Sequence, residues 1–329
     1  MKKKLVLVIS ILLITISLIL PLTSCKKKNN RTEENGVPYT FLENSTIYIK
    51  MGTYPQTISQ ESVDTIKTNG TYDSQSGYYT YNNNKYKIIT AHPCTDEVSP
   101  VFSNDEPVVD GKEYAFLVED IVWKIINKAL DDPDYFVYSN KILDTAIYQD
   151  LDKIGKYRSN YYIYDNQGAL LYNEEVYANN WEYSKLRTTL AYFYNNAFNN
   201  ANKTVIIQKE IANTSQDDGP DYFPNHQSST KDYVFCLSKA EATNSRYGFT
   251  DEDKDRRLRP VTDYAIANGV FYVVNTSNAI VGWSWTRTAA TTSNSVYKVS
   301  TAGELTTSYI TSDLGLKIGY APAMHITKI

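Results

Sequence analysis

Val281-Gly282-Trp283-Ser284-Trp285-Thr286-Arg287-Thr288 sets two of the chain's 4 tryptophans at alternating positions, with an arginine two further on. Successive side chains of a strand point to opposite faces, so an extended backbone puts Trp283, Trp285 and Arg287 on one face. The stretch reads as a core strand with a polar handle. That handle has two readings: contact with a ligand, or a structural pair in which the guanidinium stacks on indole and meets a buried carboxylate. Trp181 and Arg187, on the best helix, carry the same two readings.

Outward from this strand, residues 270–275, 279–288, 295–299 and 323–326 read as closing strands. Earlier strands are predicted at 47–51, 78–81, 85–91, 114–118, 121–126 and 135–139. Asn82-Asn83-Asn84 joins two of them as a tight hairpin, because Asn tolerates left-handed backbone. Gly52-Thr53-Tyr54-Pro55-Gln56 reads as a turn ending the first strand, since proline restrains itself and the residue before it. Residues 60–77 read as a polar loop, 142–150 as a short helix and 157–174 as a tyrosine-rich irregular insertion. The best helix is 181–198, where Leu186, Leu190, Phe193 and Ala197 recur at three- and four-residue intervals behind Asn180 as its cap. Residues 205–212 suit a helical turn or a strand, 233–238 a buried strand, and 262–268 a helical turn stopped by Gly269.

The amino terminus is a different kind of sequence. Lys2 to Lys4 precede an uncharged apolar run, then Leu22-Thr23-Ser24-Cys25 and three more lysines. A basic start, an apolar middle and small residues before the cut make a secretory signal. The tetrapeptide resembles the bacterial lipobox, whose cysteine takes a diacylglyceryl thioether. Cys25 is therefore expected to carry lipid and anchor the protein outside the cytoplasm. The alternative is an uncleaved membrane span. Three parts are expected: a lipoprotein signal peptide (1–24), a flexible tether (25–45) and a single folded domain (46–329).

Formal charge is −4 over 329 residues, and losing Lys2, Lys3 and Lys4 with the leader takes it from −4 to −7. Such a balance lacks the basic face that nucleic acid needs. The 29 tyrosines suit either a core or a carbohydrate-stacking surface. His92, His226 and His325 stand apart, without metal spacing or a Ser/His/Asp arrangement. Asp251-Glu252-Asp253-Lys254-Asp255 alternates like a calcium loop, but Arg256 stands where an EF-hand needs Gly and Thr262 where it needs Glu. Cys94 and Cys236 are expected to be buried thiols or a disulfide. No cofactor and no metal are expected.

The order of motifs adds a resemblance. Gly52-Thr53-Tyr54-Pro55-Gln56, Ile121 to Ile125 and Ile142-Leu143-Asp144 come first. Trp181 with Ser184, Leu186, Arg187 and Leu190 follows, then Phe235-Cys236-Leu237-Ser238 with Glu241, and Thr262-Asp263-Tyr264-Ala265. Trp285-Thr286-Arg287-Thr288 and Pro322-Ala323 close the series. It resembles an uncharacterised family of bacterial surface and lipoprotein domains, of unknown function, with G-x-Y-P-Q, W-x-x-S-x-L-R, W-W-L-R-S and R-P-A motifs. That family is distantly similar to C-type-lectin-like and formylglycine-generating-enzyme-like domains. The resemblance implies an α+β, C-type-lectin-like fold: a twisted antiparallel sheet, one or two flanking helices and long loops. Ser284 and Ala321 depart from the family's Trp and Arg, and Thr189 and Ala191 from its helix Trp and Asn.

These readings lead to three expectations. The first is a membrane-anchored extracytoplasmic binding or adhesion module whose ligand is a glycan, peptidoglycan or a host or surface protein. The second is an envelope enzyme, hydrolase or oxidase, favoured if Arg287, Glu241 and Asp263 converge. The third is a structural envelope protein.

Overall fold

A computed structural model describes residues 37–43, 46–95, 99–127, 132–171, 175–213, 228–311 and 317–329. The signal peptide, Cys25 and most of the tether fall outside the described residues, as does His226. Asn35–Ile329 forms one compact unit.

The fold is organised on Glu113–Ile125, in which the two runs predicted separately are one continuous strand. Thr46–Ile58 pairs along one edge of it, from Tyr48 opposite Lys124 to Ile58 opposite Phe116. The other edge is divided. Asn84–Thr90 takes the first half, with Tyr86 opposite Leu117, and Tyr135–Ser139 the second, with Trp123 opposite Ser139. From this fork the sheet runs one way through Tyr78–Tyr81 to Thr71–Asp73, and the other through Ala323–Ile326 to Ile206–Ile207. Register shifts at Lys50/Thr53 and Pro55/Ile58 bend the long partner strand and add twist. A second sheet orders Leu305–Tyr309, Ser295–Val299, Ser284–Ala289, Gly319–Tyr320 and Asp144–Thr145.

This architecture overturns the expected α+β, C-type-lectin-like fold. The described residues are mostly β, 40% strand and 17% helix, with a curled antiparallel half-barrel sheet. Among the described residues the long helix is Lys185–Ala197, and the other α-helices span 4 to 7 residues. Helices that short are not stable on their own, so they cap and brace the sheets without forming a layer. Residues 142–150, expected as a helix, instead give the strand Asp144–Thr145, drawn into the second sheet by pairing with Gly319–Tyr320.

Local chemistry accounts for the elements. Asn82 and Asn83 take φ of 48° and 63° in the predicted hairpin turn. Lys185–Ala197 buries Leu186, Leu190, Phe193 and Ala197 as its spacing requires, but its cap is Ser184, whose hydroxyl accepts from the Arg187 amide. Gly52 does not end the first strand. The strand passes through it at φ +74°, and a Cβ there would stand 2.6 Å from the Phe198 ring and 2.9 Å from the Ala197 carbonyl. Glycine lets the helix end press against the strand. The expected loop 60–77 holds the helix Val63–Asn69 and the strand Thr71–Asp73. Ile66 is that helix's one buried side chain, too little for a visible period. Residues 205–212 form the strands Ile206–Ile207 and Lys209–Ile211. The expected strand 233–238 is a bend, touching the sheet through a bridge between Phe235 and Ala323.

Candidate functional site

The tryptophan strand is spent internally. Trp283 falls in a break between Ile280–Gly282 and Ser284–Ala289. It stacks on Phe271 at 4.0 Å, and the Lys298 ammonium lies over its ring at 3.2 Å. Burial pushes the Lys298 pKa down to about 8. Trp285 is buried against Tyr148, and its indole N–H donates to the Ala146 carbonyl at 2.9 Å. Arg287, 3% exposed, donates from Nη1 and Nη2 to the two carboxylate oxygens of Glu241 at 2.5 and 2.8 Å. Nη1 also reaches the Cys236 carbonyl. Glu241 in turn closes the capping box of Lys239–Ala242, accepting from the Ser238 amide. The same logic governs the other pair. The Trp181 indole and Arg187 Nε donate to opposite oxygens of Asp232, and Thr230 adds a third donor.

Asp263 does not join Arg287 and Glu241. Its carboxylate accepts from the Ile58 amide and from the amide and hydroxyl of Ser103. Cys94 and Cys236 are both buried thiols. Desolvation pushes Cys236 up to about 12, which keeps it protonated and unreactive.

A second polar centre gathers around Asp144. Its Oδ2 accepts from the Tyr54 hydroxyl at 2.7 Å, and its Oδ1 from the Thr145 amide and Asn268 Nδ2. The Tyr54 and Tyr320 hydroxyls stand 3.1 Å apart, extending a chain of exchangeable protons. Burial pushes Asp144 up to about 6, against the lowering effect of the three hydrogen bonds. Part of the residue's surface still reaches solvent, but the carboxylate itself is crowded, and its surroundings set the shift.

An open feature among the described residues lies beyond the end of the tryptophan strand. The loop from Ser284–Ala289 to Ser295–Val299, the hairpin of Ile154–Tyr157 and Asn160–Ile163, and the end of Leu305–Tyr309 enclose a trough of about 750 Å³. Its walls are Tyr161, Tyr177 and Tyr309, Asn160 and Asn294, and the hydroxyls of Ser159, Thr291, Thr292, Ser293 and Thr311. Among the described residues every lining side chain carries a hydroxyl or an amide, and none carries a charge. The loop is held from beneath by buried Asn179, whose Nδ2 donates to the Thr292 and Ser295 carbonyls at 2.9 and 3.1 Å. Ser293 Oγ accepts from the Tyr161 amide at 2.7 Å, tying loop to hairpin. Sequence reasoning did not select these residues. The available signal was Thr291-Thr292-Ser293-Asn294, a polar run longer than the hairpin it closes requires, and the tyrosines of an insertion read as irregular.

Among the described residues no group of three His, Cys, Asp or Glu could hold a metal ion, and no helix is long and apolar enough to cross a membrane. The described residues thus define a mostly-β protein with buried and partly buried ion pairs and an open, uncharged trough. The chain belongs to the family described as domain of unknown function DUF6273, whose model matches residues 151–328, more than half of the 329. All ten trough residues and all five of the tryptophans and arginines singled out above lie within that match, whereas Tyr54 and Asp144 precede it. No curated protein and no solved structure matches the chain.

Proposed function

We propose that the protein is a lipid-anchored, extracytoplasmic binding module of the bacterial surface, which holds a ligand in the trough without transforming it. The supporting observation is the contrast in how polar groups are used. Arg287, Glu241, Arg187 and Asp232 are satisfied by one another, while ten uncharged polar residues face an open volume of about 750 Å³. That volume falls in the range of ligand sites. Anchoring rests on the basic, apolar and Leu22-Thr23-Ser24-Cys25 sequence of the leader, with the lysine-rich tether spacing the domain from the bilayer.

Two measurements test this reading. Metabolic labelling with a fatty-acid probe is expected to mark the wild-type chain and to miss Cys25→Ala; label retained on that variant overturns the anchor. Ligand-observed NMR on the full chain, with envelope-derived glycan and peptide mixtures, is expected to find a ligand displaced by Tyr309→Ala. Turnover without any retained ligand would overturn the binding role. An envelope enzyme is the second reading, favoured by Asp144 and its tyrosine chain, since a carboxyl poised near neutrality suits proton transfer. It requires a pH–rate profile with an inflection near 6 that Asp144→Asn abolishes.

A further inference from the structure

We infer that the trough is a binding site for a neutral saccharide, an inference that rests on the binding role proposed above and names its ligand class. Charge is the first argument. A site for phosphate, sulfate, nucleic acid or an acidic peptide places Arg, Lys or several convergent amides on the anion, and a site for a cationic ligand places carboxylates. Among the described residues the lining has neither. Lys156 lies over the Tyr161 ring at 5.8 Å and Arg158 over the Tyr157 ring at 4.9 Å, and neither is among the described wall residues.

Apolarity is the second. A lipid or hydrophobic peptide needs aliphatic walls, and among the described residues no Leu, Ile, Val or Met lines this volume. What remains is three tyrosine rings among hydroxyls and carboxamides. A pyranose is the complementary object: a ring of hydroxyls, each a donor and an acceptor, with C–H groups on its faces that pack on an aromatic plane.

Order in the wall is the third. The Thr292 hydroxyl donates to Asn294 Oδ1 at 3.1 Å, and Asn294 Nδ2 donates to the Thr311 hydroxyl at 3.0 Å. Thr292 and Ser295 also share a hydrogen bond at 2.5 Å. These contacts fix which way the amide points, so the wall offers oriented partners before any ligand arrives. Asn179 beneath the loop and the Ser293 link to the hairpin hold the two walls at a set spacing. Preorganisation of this kind lowers the ordering cost of binding a flexible, strongly hydrated ligand.

The test uses the full lipidated chain in a sugar-free polyoxyethylene detergent, because a maltoside would compete. The probes are maltotriose, cellotriose and chitotriose as neutral saccharides, a sulfated heparin fragment and a sialic-acid oligomer as charged ones, and a neutral Ser/Thr-rich peptide. Saturation-transfer NMR and titration calorimetry read binding. At least one neutral trisaccharide is expected to bind, and Tyr309→Ala and Tyr161→Ala are each expected to weaken it about tenfold or more. Tyr309→Phe, which keeps the ring, is expected to lose less. Thermal unfolding of each variant guards against a folding defect, and Tyr309 is the safer site because it is 57% exposed. Selective binding of the charged glycans overturns the inference, as does neutral binding that no trough variant weakens. If only the peptide binds, and trough variants abolish it, the binding role stands and the saccharide class falls. If no probe binds and unbiased glycan and peptide mixtures give nothing at the trough, both fall.

Discussion

The tryptophan strand and the loop that follows it are neighbours in sequence and opposites in chemistry. From Ser284 to Ala290 every residue is buried, and Arg287 finds its counter-charge in Glu241. Thr291 and Thr292, immediately after, are exposed and face an open trough. The difference teaches where conspicuous residues go. Tryptophan and arginine attract attention because they are expensive to bury unpaired, and here each has been given its partner: Ala146 for Trp285, Glu241 for Arg287, Asp232 for both Trp181 and Arg187. Small hydroxyl and amide residues are cheaper to leave at a surface, and here they bond to one another while lining an open volume.

The largest expected effect breaks the sealed side. Glu241→Ala strands the Arg287 guanidinium without its carboxylate, and denaturant unfolding should show a loss of about 3–5 kcal/mol, toward the lower end because Glu241 is the more exposed partner. Replacing both, Arg287→Met with Glu241→Leu, should cost far less than the single change, because the loss comes mainly from an unpaired charge. Equal losses in the two proteins would mean that the pair itself stabilises the fold. Gly52→Ala comes next. Its Cβ would overlap the Phe198 ring and it must hold φ +74°, so a loss of about 2–3 kcal/mol is expected in the same assay.

Asp144 gives a smaller and pH-dependent effect. Its folded pKa, about 6, lies above the ordinary 3.8, so the native state binds this proton more tightly than the unfolded chain does. The contribution is therefore greatest below pH 3.8 and is lost as pH rises through about 6. The full shift corresponds to about 3 kcal/mol, and the residue's partial exposure reduces this to about 2. Asp144→Asn should remove that slope from stability measured between pH 4 and pH 7. Its amide would donate toward Tyr54, whose hydroxyl would then turn to Tyr320. An unchanged slope would relocate the titration to another group. Smallest of all, Tyr309→Ala should alter unfolding by less than about 0.5 kcal/mol, as a change on an exposed ring.

What the sequence disclosed follows the strength of its local signals. The Asn82-Asn83 turn, the buried face of Lys185–Ala197, and the capped turn of Asp263–Ala267 before Gly269 were legible because each depends on neighbours in the chain. The fold class was not. The resemblance pointed to α+β, whereas the sheet's curl comes from Glu113–Ile125 giving one edge to two different strands, a pairing between distant segments that no local period encodes. The motif at Gly52 was visible, but its reason lay in the distant Phe198. For the candidate site, the chemistry of Trp283, Trp285, Arg287, Trp181 and Arg187 could be read from residue type, including the need of a buried guanidinium for a carboxylate. Which carboxylates would answer, Glu241 and Asp232, is tertiary information. The trough escaped because its residues are individually ordinary and meet only through the pairing of a hairpin, a loop and a strand end.

The most direct test of the division between sealed strand and open trough is one titration, performed on the folded Arg287→Met/Glu241→Leu double variant and on Tyr309→Ala with whichever neutral trisaccharide the wild-type chain binds. The account predicts wild-type affinity in the first and a loss of about tenfold or more in the second. Affinity lost in the double variant and kept in Tyr309→Ala would contradict it, and would return the ligand to the arginine of the tryptophan strand.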